Sequence, residues 1–286
     1  MAKQKMDMLH GSLWDKLILY AFPVAATGIL EQLFNVSDLA IVGNFTGDAK
    51  TVCVAAVGAN SPIVGLLLNL FIGISLGTNV LAARFYGAGK TKEMSETVHT
   101  SIALALISGV AMAVIGLIFS RWSLEVMGTP EDVIAQATLY MQIYFLGMPF
   151  FMLYNYGAAI LRAVGDTKRP LFYLIISGVI NAVLNMILVI FFHMAVEGVA
   201  IATVISQLIS CILVLRCLYR SEGSYQLRFS KLTMKKAYLM QIFQVGVPAG
   251  IQSTVINFSN ALLQSSVNSF GSIAMAGYTA ANNIFG

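Results

Sequence analysis

Long apolar stretches, each ended by a short polar cluster, follow one another along the whole chain, and this limits the folds open to it. They fall at 13–43, 51–86, 93–120, 131–162, 168–193, 196–219 and 233–269, and an eighth opens near 272. Each of the first seven reaches the roughly 20 apolar residues that a helix needs to cross a bilayer. In lipid the backbone must satisfy its own hydrogen bonds, so a spanning segment is a helix or a strand of a closed barrel. Barrel strands alternate apolar and polar residues over about ten positions, whereas these runs are continuous. The expectation is an all-α fold, a polytopic membrane helix bundle. Composition points the same way. Hydrophobic residues make up 58% and charged residues 10%, against roughly 25% charged in soluble domains. A soluble globule and a disordered chain are both excluded. Pro23, Pro62, Pro149 and Pro248 lie inside apolar stretches, where each removes a backbone donor and can kink its helix. Cys53, Cys211 and Cys217 sit in apolar runs and outline no disulfide framework.

The basic residues are unevenly placed. With the N-terminus inside, the inside segments carry Lys3, Lys5, Lys16, Arg84, Lys90, Lys92, Arg162, Lys168 and Arg169, and six more between 216 and 236. Only Lys50 and Arg121 fall outside. Cytoplasmic loops are enriched in Lys and Arg, so the expected setting is a multi-pass protein of the plasma membrane with a cytoplasmic N-terminus.

An internal repeat divides the chain. Phe22-Pro23-Val24-Ala25 aligns with Val247-Pro248-Ala249-Gly250, Asn35 with Asn260, and Gly47 with Gly271. After a shorter loop, Val54-Ala55-Ala56 aligns with Met275-Ala276-Gly277, and Ile63-Val64-Gly65 with Ile284-Phe285-Gly286. The offset, 225 residues falling to 221, suits two homologous six-helix halves in the same orientation, as transporters often have. The expected domains are a six-helix lobe over 1–222, then a linker and about two helices of a second lobe over 223–286. The rest of that second lobe is expected to be missing, which would leave this stretch unable to transport alone.

Charge inside an apolar helix is costly and usually functional. Of the thirteen acids, only Glu31 and Asp38 lie deep within a stretch, seven apart and so on one helix face, with Asn35 between them. A water-lined stripe binding a cation or proton is one reading; a structurally satisfied acid is the other. Asn181 and Asn185 share a face of helix five, and helix six adds Thr203, Ser206 and Gln207. Their oxygens suit a hard cation, and they equally suit hydrogen bonding between helices. Tyr140, Gln142, Tyr144, Tyr154, Asn155 and Tyr156 either line a substrate cavity or pack and anchor, and packing is preferred. Catalytic patterns fail. Gly73-Ile74-Ser75-Leu76-Gly77 lies mid-helix and not on a strand–turn–helix elbow. Gly87-Ala88-Gly89-Lys90-Thr91 lacks the first glycine of a phosphate loop, because Arg84 stands there. His10, His99 and His193 lack metal-site spacing. No enzyme, cofactor or metal is expected, other than a Na⁺ at Asp38. The expected partners are the bilayer and a small-molecule substrate, not nucleic acid.

Several segments together resemble the multidrug and toxic compound extrusion family. They are Pro23, Asn35-Val36-Ser37-Asp38 with Gly43, Gly73–Asn79, Ala83–Ala88, Leu161–Pro170 and Gly198–Gln207. The resemblance runs over essentially the whole chain. It implies two six-helix lobes and secondary antiport: export of organic cations, drugs or other xenobiotics in exchange for Na⁺ or H⁺. It also implies a cation- or proton-coupling site at Asp38, Asn181, Asn185 and Thr203, with Glu31, Asn35, Tyr140 and Gln207 towards the substrate cavity. The family commonly has Asp where this chain has Asn185, which leaves one carboxylate. No acid follows Glu222, so the helix-seven acid of some relatives has no counterpart. The alternatives are a flippase for lipid-linked sugars of the same superfamily, which would want cationic residues in its cavity, and a non-transporting fragment.

Overall fold

The structure, a computed structural model, describes residues 13–285. Lys3, Lys5, His10 and the Gly286 end of the repeat lie outside the described residues. Within them every regular element is helical. The long helices are α1 (Leu13–Phe45), α2 (Lys50–Gly87), α3 (Thr91–Val126), α4 (Glu131–Leu146) and α5 (Met148–Ala163), then α6 (Lys168–Met186), α7 (Val196–Arg220), α8 (Lys236–Asn268) and α9 (Ser272–Phe285). Six of the described helices are long and apolar enough to cross a membrane, or seven spans if α4 and α5 count as one bent crossing. The chain is a multi-pass membrane protein.

α3 shows why both faces are apolar. Its inner face, with Met94, Val98, Ile102, Ala105 and Met112, is buried, while Ile107, Val110, Val114 and Ile118 are exposed at helical spacing. Such a helix belongs in lipid, because no face is left for water. α2 is the central strut and packs against α3, α4, α5, α8 and α9. Lipid tails are as apolar as side chains, so close packing has to hold such helices together. Where α2 crosses α8, Gly73 and Gly77 meet Gly246 and Gly250. A Cβ on Gly250 would sit 2.6 Å from the Leu70 carbonyl oxygen, and one on Gly246 2.5 Å from Ile74 Cα.

The turns are locally encoded. Gly165, at φ 83°, ends α5: its N–H donates to Arg162 O at 3.0 Å and the Asp166 N–H donates to Leu161 O at 2.9 Å. This is a Schellman closure, which favours glycine at the left-handed position. Asp166 then accepts the Arg169 N–H at 3.2 Å and so starts α6.

Two stretches depart from simple helices. The single run expected over 131–162 is two helices meeting at 47°. Pro149 lies in the first turn of α5 and has no N–H to donate back across the break. Gly147 closes the end of α4 with a 3.0 Å bond to Tyr144 O. Pro23, Pro62 and Pro248 instead lie within continuous helices. The run over 168–193 ends in a wider π turn, Ile187–Phe191, where the Phe192 N–H reaches Ile187 O at 3.3 Å.

The segment joining α7 to α8 is stitched onto the start of α3. The Arg228 N–H donates to His99 Nε2 at 3.1 Å, and the Lys235 N–H donates to Thr100 Oγ1 at 3.3 Å. Lys235 Nζ pairs with Glu96 at 2.5 Å. His99 Nδ1 lies 2.6 Å from Ser95 O. Nδ1 therefore carries the proton and Nε2 accepts.

Candidate functional site: a buried carboxylate beside a shared cavity

Asp38 is 7% exposed on α1. Two further helices bring neutral side chains to it. Asn185 of α6 donates from Nδ2 to Asp38 Oδ1 at 2.5 Å, and the same nitrogen donates to Asn181 Oδ1 at 3.2 Å. Asn181 Nδ2 points at Thr203 Oγ1 of α7, 3.4 Å away. Thr203 Oγ1 lies 3.5 Å from Asp38 Oδ2 and 2.9 Å from Val199 O. A hydroxyl has one proton, and the shorter bond holds it. Asn185 is therefore the principal donor to Asp38. Among the described residues no ion pair involves Asp38. Asn185 Oδ1 is buried without a partner. The structure thus gathers Asp38, Asn181, Asn185 and Thr203 into one cluster.

Asp38 also reaches a cavity of about 430 Å³. From the first half, α1 contributes Gln32 and Asn35, α2 contributes Asn60 and Ser61, and α4 contributes Tyr140 and Tyr144. The two tyrosine rings stack at 6.1 Å and 18°, and the bend after α4 sets their helix apart from α5. From the far side come Asn260 and Gln264 of α8 and Tyr278, Thr279 and Asn282 of α9. Among the described lining residues Asp38 is the single charged group. The rest of the wall mixes amides, hydroxyls and aromatic faces with aliphatic residues such as Leu39, Val57, Val64 and Leu68.

Glu31 and Gln207 are not in this wall. Glu31 is exposed on α1. Gln207 packs on the α4–α5 bend, where a Cβ on Gly147 would lie 2.6 Å from its Oε1. Tyr154 and Tyr156 are buried, and the Tyr154 hydroxyl donates to Pro170 O at 3.2 Å.

Asn60, Ser61, Gln264, Tyr278 and Asn282 were not singled out by sequence reasoning. The repeat held the signal. The offset that aligns Asn35 with Asn260 also aligns Leu39 with Gln264. The offset beyond the loop aligns Val57 with Tyr278, Gly58 with Thr279 and Ser61 with Asn282. All ten residues line the cavity. Equivalent positions of the two repeats line the same cavity.

Comparison with known proteins places this arrangement. The family described as MatE matches residues 23–187. The probable multidrug resistance protein YoeA of Bacillus subtilis is 34% identical over 283 residues, covering 96% of this chain and 60% of that protein. YpnP of the same organism, also named a probable multidrug resistance protein, is 29% identical, covering 97% of this chain and 61% of its own length. The chain therefore spans about 60% of the length of these relatives. A structure titled as the inward-facing conformation of a multidrug resistance MATE family transporter superposes with a TM-score of 0.81 at 22% identity, covering 97% of this chain and 59% of that one. The outward-facing counterpart gives 0.84 at 22% identity, covering 99% and 62%. These two likenesses speak to the fold. With the family match extending over more than half of the sequence, the chain belongs to the multidrug and toxic compound extrusion (MATE) family of transporters, which are not enzymes.

Proposed function

We propose that this chain serves secondary active export, in which organic cations, drugs or other xenobiotics leave in exchange for Na⁺ or H⁺ at the plasma membrane. The observation that carries the reading is Asp38, one buried carboxylate held by neutral donors at the edge of a two-sided cavity. A cationic substrate and a coupling ion would draw on the same single charge, so occupancy by one disfavours the other. That differential interaction is what an exchanger needs to move between conformations.

Asn185 suits both states of Asp38. With the carboxylate bare, its Nδ2 donates, as seen. With Asp38 protonated or holding Na⁺, an amide flip would turn Oδ1, now without a partner, towards the new proton or ion. Asn181 and Thr203 supply further neutral oxygens. The names of the relatives, multidrug resistance and multidrug export proteins, support the drug side of the reading. The absence of Lys and Arg from the described cavity wall leaves the lipid-linked-sugar alternative without support.

The test is efflux of a fluorescent organic cation from cells expressing the whole gene, where the parent exceeds an empty-vector control, with Asp38→Asn compared at matched protein levels. The amide keeps the shape and loses the charge, so coupled efflux should be abolished. Efflux by the variant equal to that of the parent would place the coupling ion elsewhere.

A further inference from the structure

We propose that the surface formed by the end of α7 and the segment after it binds anionic phospholipid headgroups of the leaflet it meets. Beyond Arg220 the chain turns and lies back along α7. The Leu227 N–H donates to Leu218 O at 3.1 Å, and Gln226 Nε2 donates to Tyr219 O at 3.3 Å. This return stacks Phe229 on Tyr219, with ring centroids 6.0 Å apart and planes 26° apart. Both rings remain 54% exposed. An open aromatic pair at the end of a spanning helix fits the bilayer interface, where one side is apolar and the other wet.

Cations surround that pair. Arg216 and Arg220 project from the last turns of α7, and Arg228 and Lys231 flank Phe229; all four are exposed. Among the described residues no carboxylate lies within ion-pair distance of any of them. Between 216 and 236 there are six basic residues and one acid, Glu222. Lys235 alone of the six has a described carboxylate partner, Glu96. Arg169 of α6 adjoins the surface, its Nη1 3.6 Å from Cys217 Sγ, but it is already paired with Asp166 at 3.2 Å and is not counted among the four. The long stems of Arg and Lys lie along apolar surface while their heads reach outward. Clusters of four to eight such charges beside a spanning helix attract anionic lipid. A zwitterionic headgroup offers no net charge to meet them. The phosphate chemistry alone would suit a free phosphate ester, but the exposed stacked rings need the hydrocarbon edge that only a lipid brings.

The test places a reporter in the patch. Phe229→Trp is made in a Trp14→Phe, Trp122→Phe background and the chain is reconstituted in phosphatidylcholine vesicles. A minor fraction of brominated phosphatidylglycerol, or the same fraction of brominated phosphatidylcholine, then quenches the tryptophan. The brominated phosphatidylglycerol should quench Trp fluorescence at 229 at least about threefold more strongly, and raised salt should shrink that preference. A second reporter keeps only Trp122, at the far end of α3, and should show no preference. Equal quenching at 229 by both lipids would overturn the proposal, as would an equal preference at Trp122. R216Q/R220Q/R228Q/K231Q with the 229 reporter should lose the preference; retention in that variant would also overturn it. Soluble glycerol phosphate should not relieve the quenching, and relief would show a site for free anions instead. The first comparison uses native charges and stands even if the quadruple variant fails to fold.

Discussion

Asn185 uses both amide hydrogens, one towards Asp38 and one towards Asn181. Asn185→Leu removes both bonds and leaves a buried carboxylate without its main donor. Stability should fall by about 2–3 kcal/mol, since hydrogen bonds to charged groups are worth more than neutral ones. A lowered Tm of the purified chain in detergent reads this out. Asn185→Asp acts in the opposite sense towards cations. It sets a second carboxylate where one amide stood, so Na⁺ should raise the variant's Tm more than the parent's, because a ligand stabilises the state that binds it. An unchanged response to Na⁺ in that variant would argue against cation binding at this cluster. Parts of the cluster were legible in the sequence and parts were not. A lone acid deep in an apolar run stands out, and so do two asparagines four apart. Their meeting across 147 residues follows from helix packing that no local spacing encodes; only the family resemblance placed them together. Asn60 and Gln264 looked like any amide in a membrane helix, because such residues serve hydrogen bonding between helices as readily as a cavity.

Among the elements, the α2–α8 crossing depends on four positions without side chains. Gly246→Leu or Gly73→Leu would drive a side chain into the opposing backbone, which overpacking penalises by about 1–3 kcal/mol. A disulfide engineered between the two helices near the crossing should form in the parent and fail in either variant. Gly28→Ala is the control: nothing lies within 4 Å of the added methyl, and the disulfide should form as before. The joining segment yields a second prediction. His99→Phe removes the acceptor for the Arg228 N–H and should loosen the segment, so that trypsin cuts at Arg228 and Lys231 faster than in the parent. An unchanged cleavage rate would mean that the other contacts, to Thr100, Glu96, Leu218 and Tyr219, hold the segment without His99. Helix limits were legible to within a few residues at most ends, because caps such as Gly165-Asp166 are local chemistry. The break between α4 and α5 was not, since Pro149 reads like the three prolines that leave their helices continuous. What differs is Gly147, whose bare backbone lets Gln207 of α7 close in on the bend, and that contact is tertiary.

For the whole molecule, the repeat and the charge asymmetry describe one geometry from two sides. The repeat puts equivalent positions of its two copies around one cavity, where Asp38 is the single charged group among the described lining residues. The charge asymmetry marks one end of the bundle as the basic end. α2 has 38 residues, so at about 1.5 Å each it is roughly 57 Å long, well beyond a hydrocarbon core of about 30 Å. Lys50 at its start and Lys90 just past its end must emerge on opposite sides. α3 returns, carrying Arg121 back towards the Lys50 side, where Asn268 at the end of α8 donates to Met127 O at 2.9 Å. At the other end Lys235, at the start of α8, pairs with Glu96 near the start of α3. Arg84, Lys90, Lys92, Arg162, Lys168, Arg169 and the 216–236 bases therefore share one end of the bundle, and by the positive-inside rule we propose that this end is cytoplasmic. In a background with Cys53, Cys211 and Cys217 replaced by Ala, single cysteines at 50 and 121 should react with a membrane-impermeant maleimide in intact cells. A cysteine at 90 should react only after the cells are opened. Labelling of the cysteine at 90 in intact cells, with 50 and 121 silent, would invert the bundle, and the proposed export would then run in the wrong direction across it.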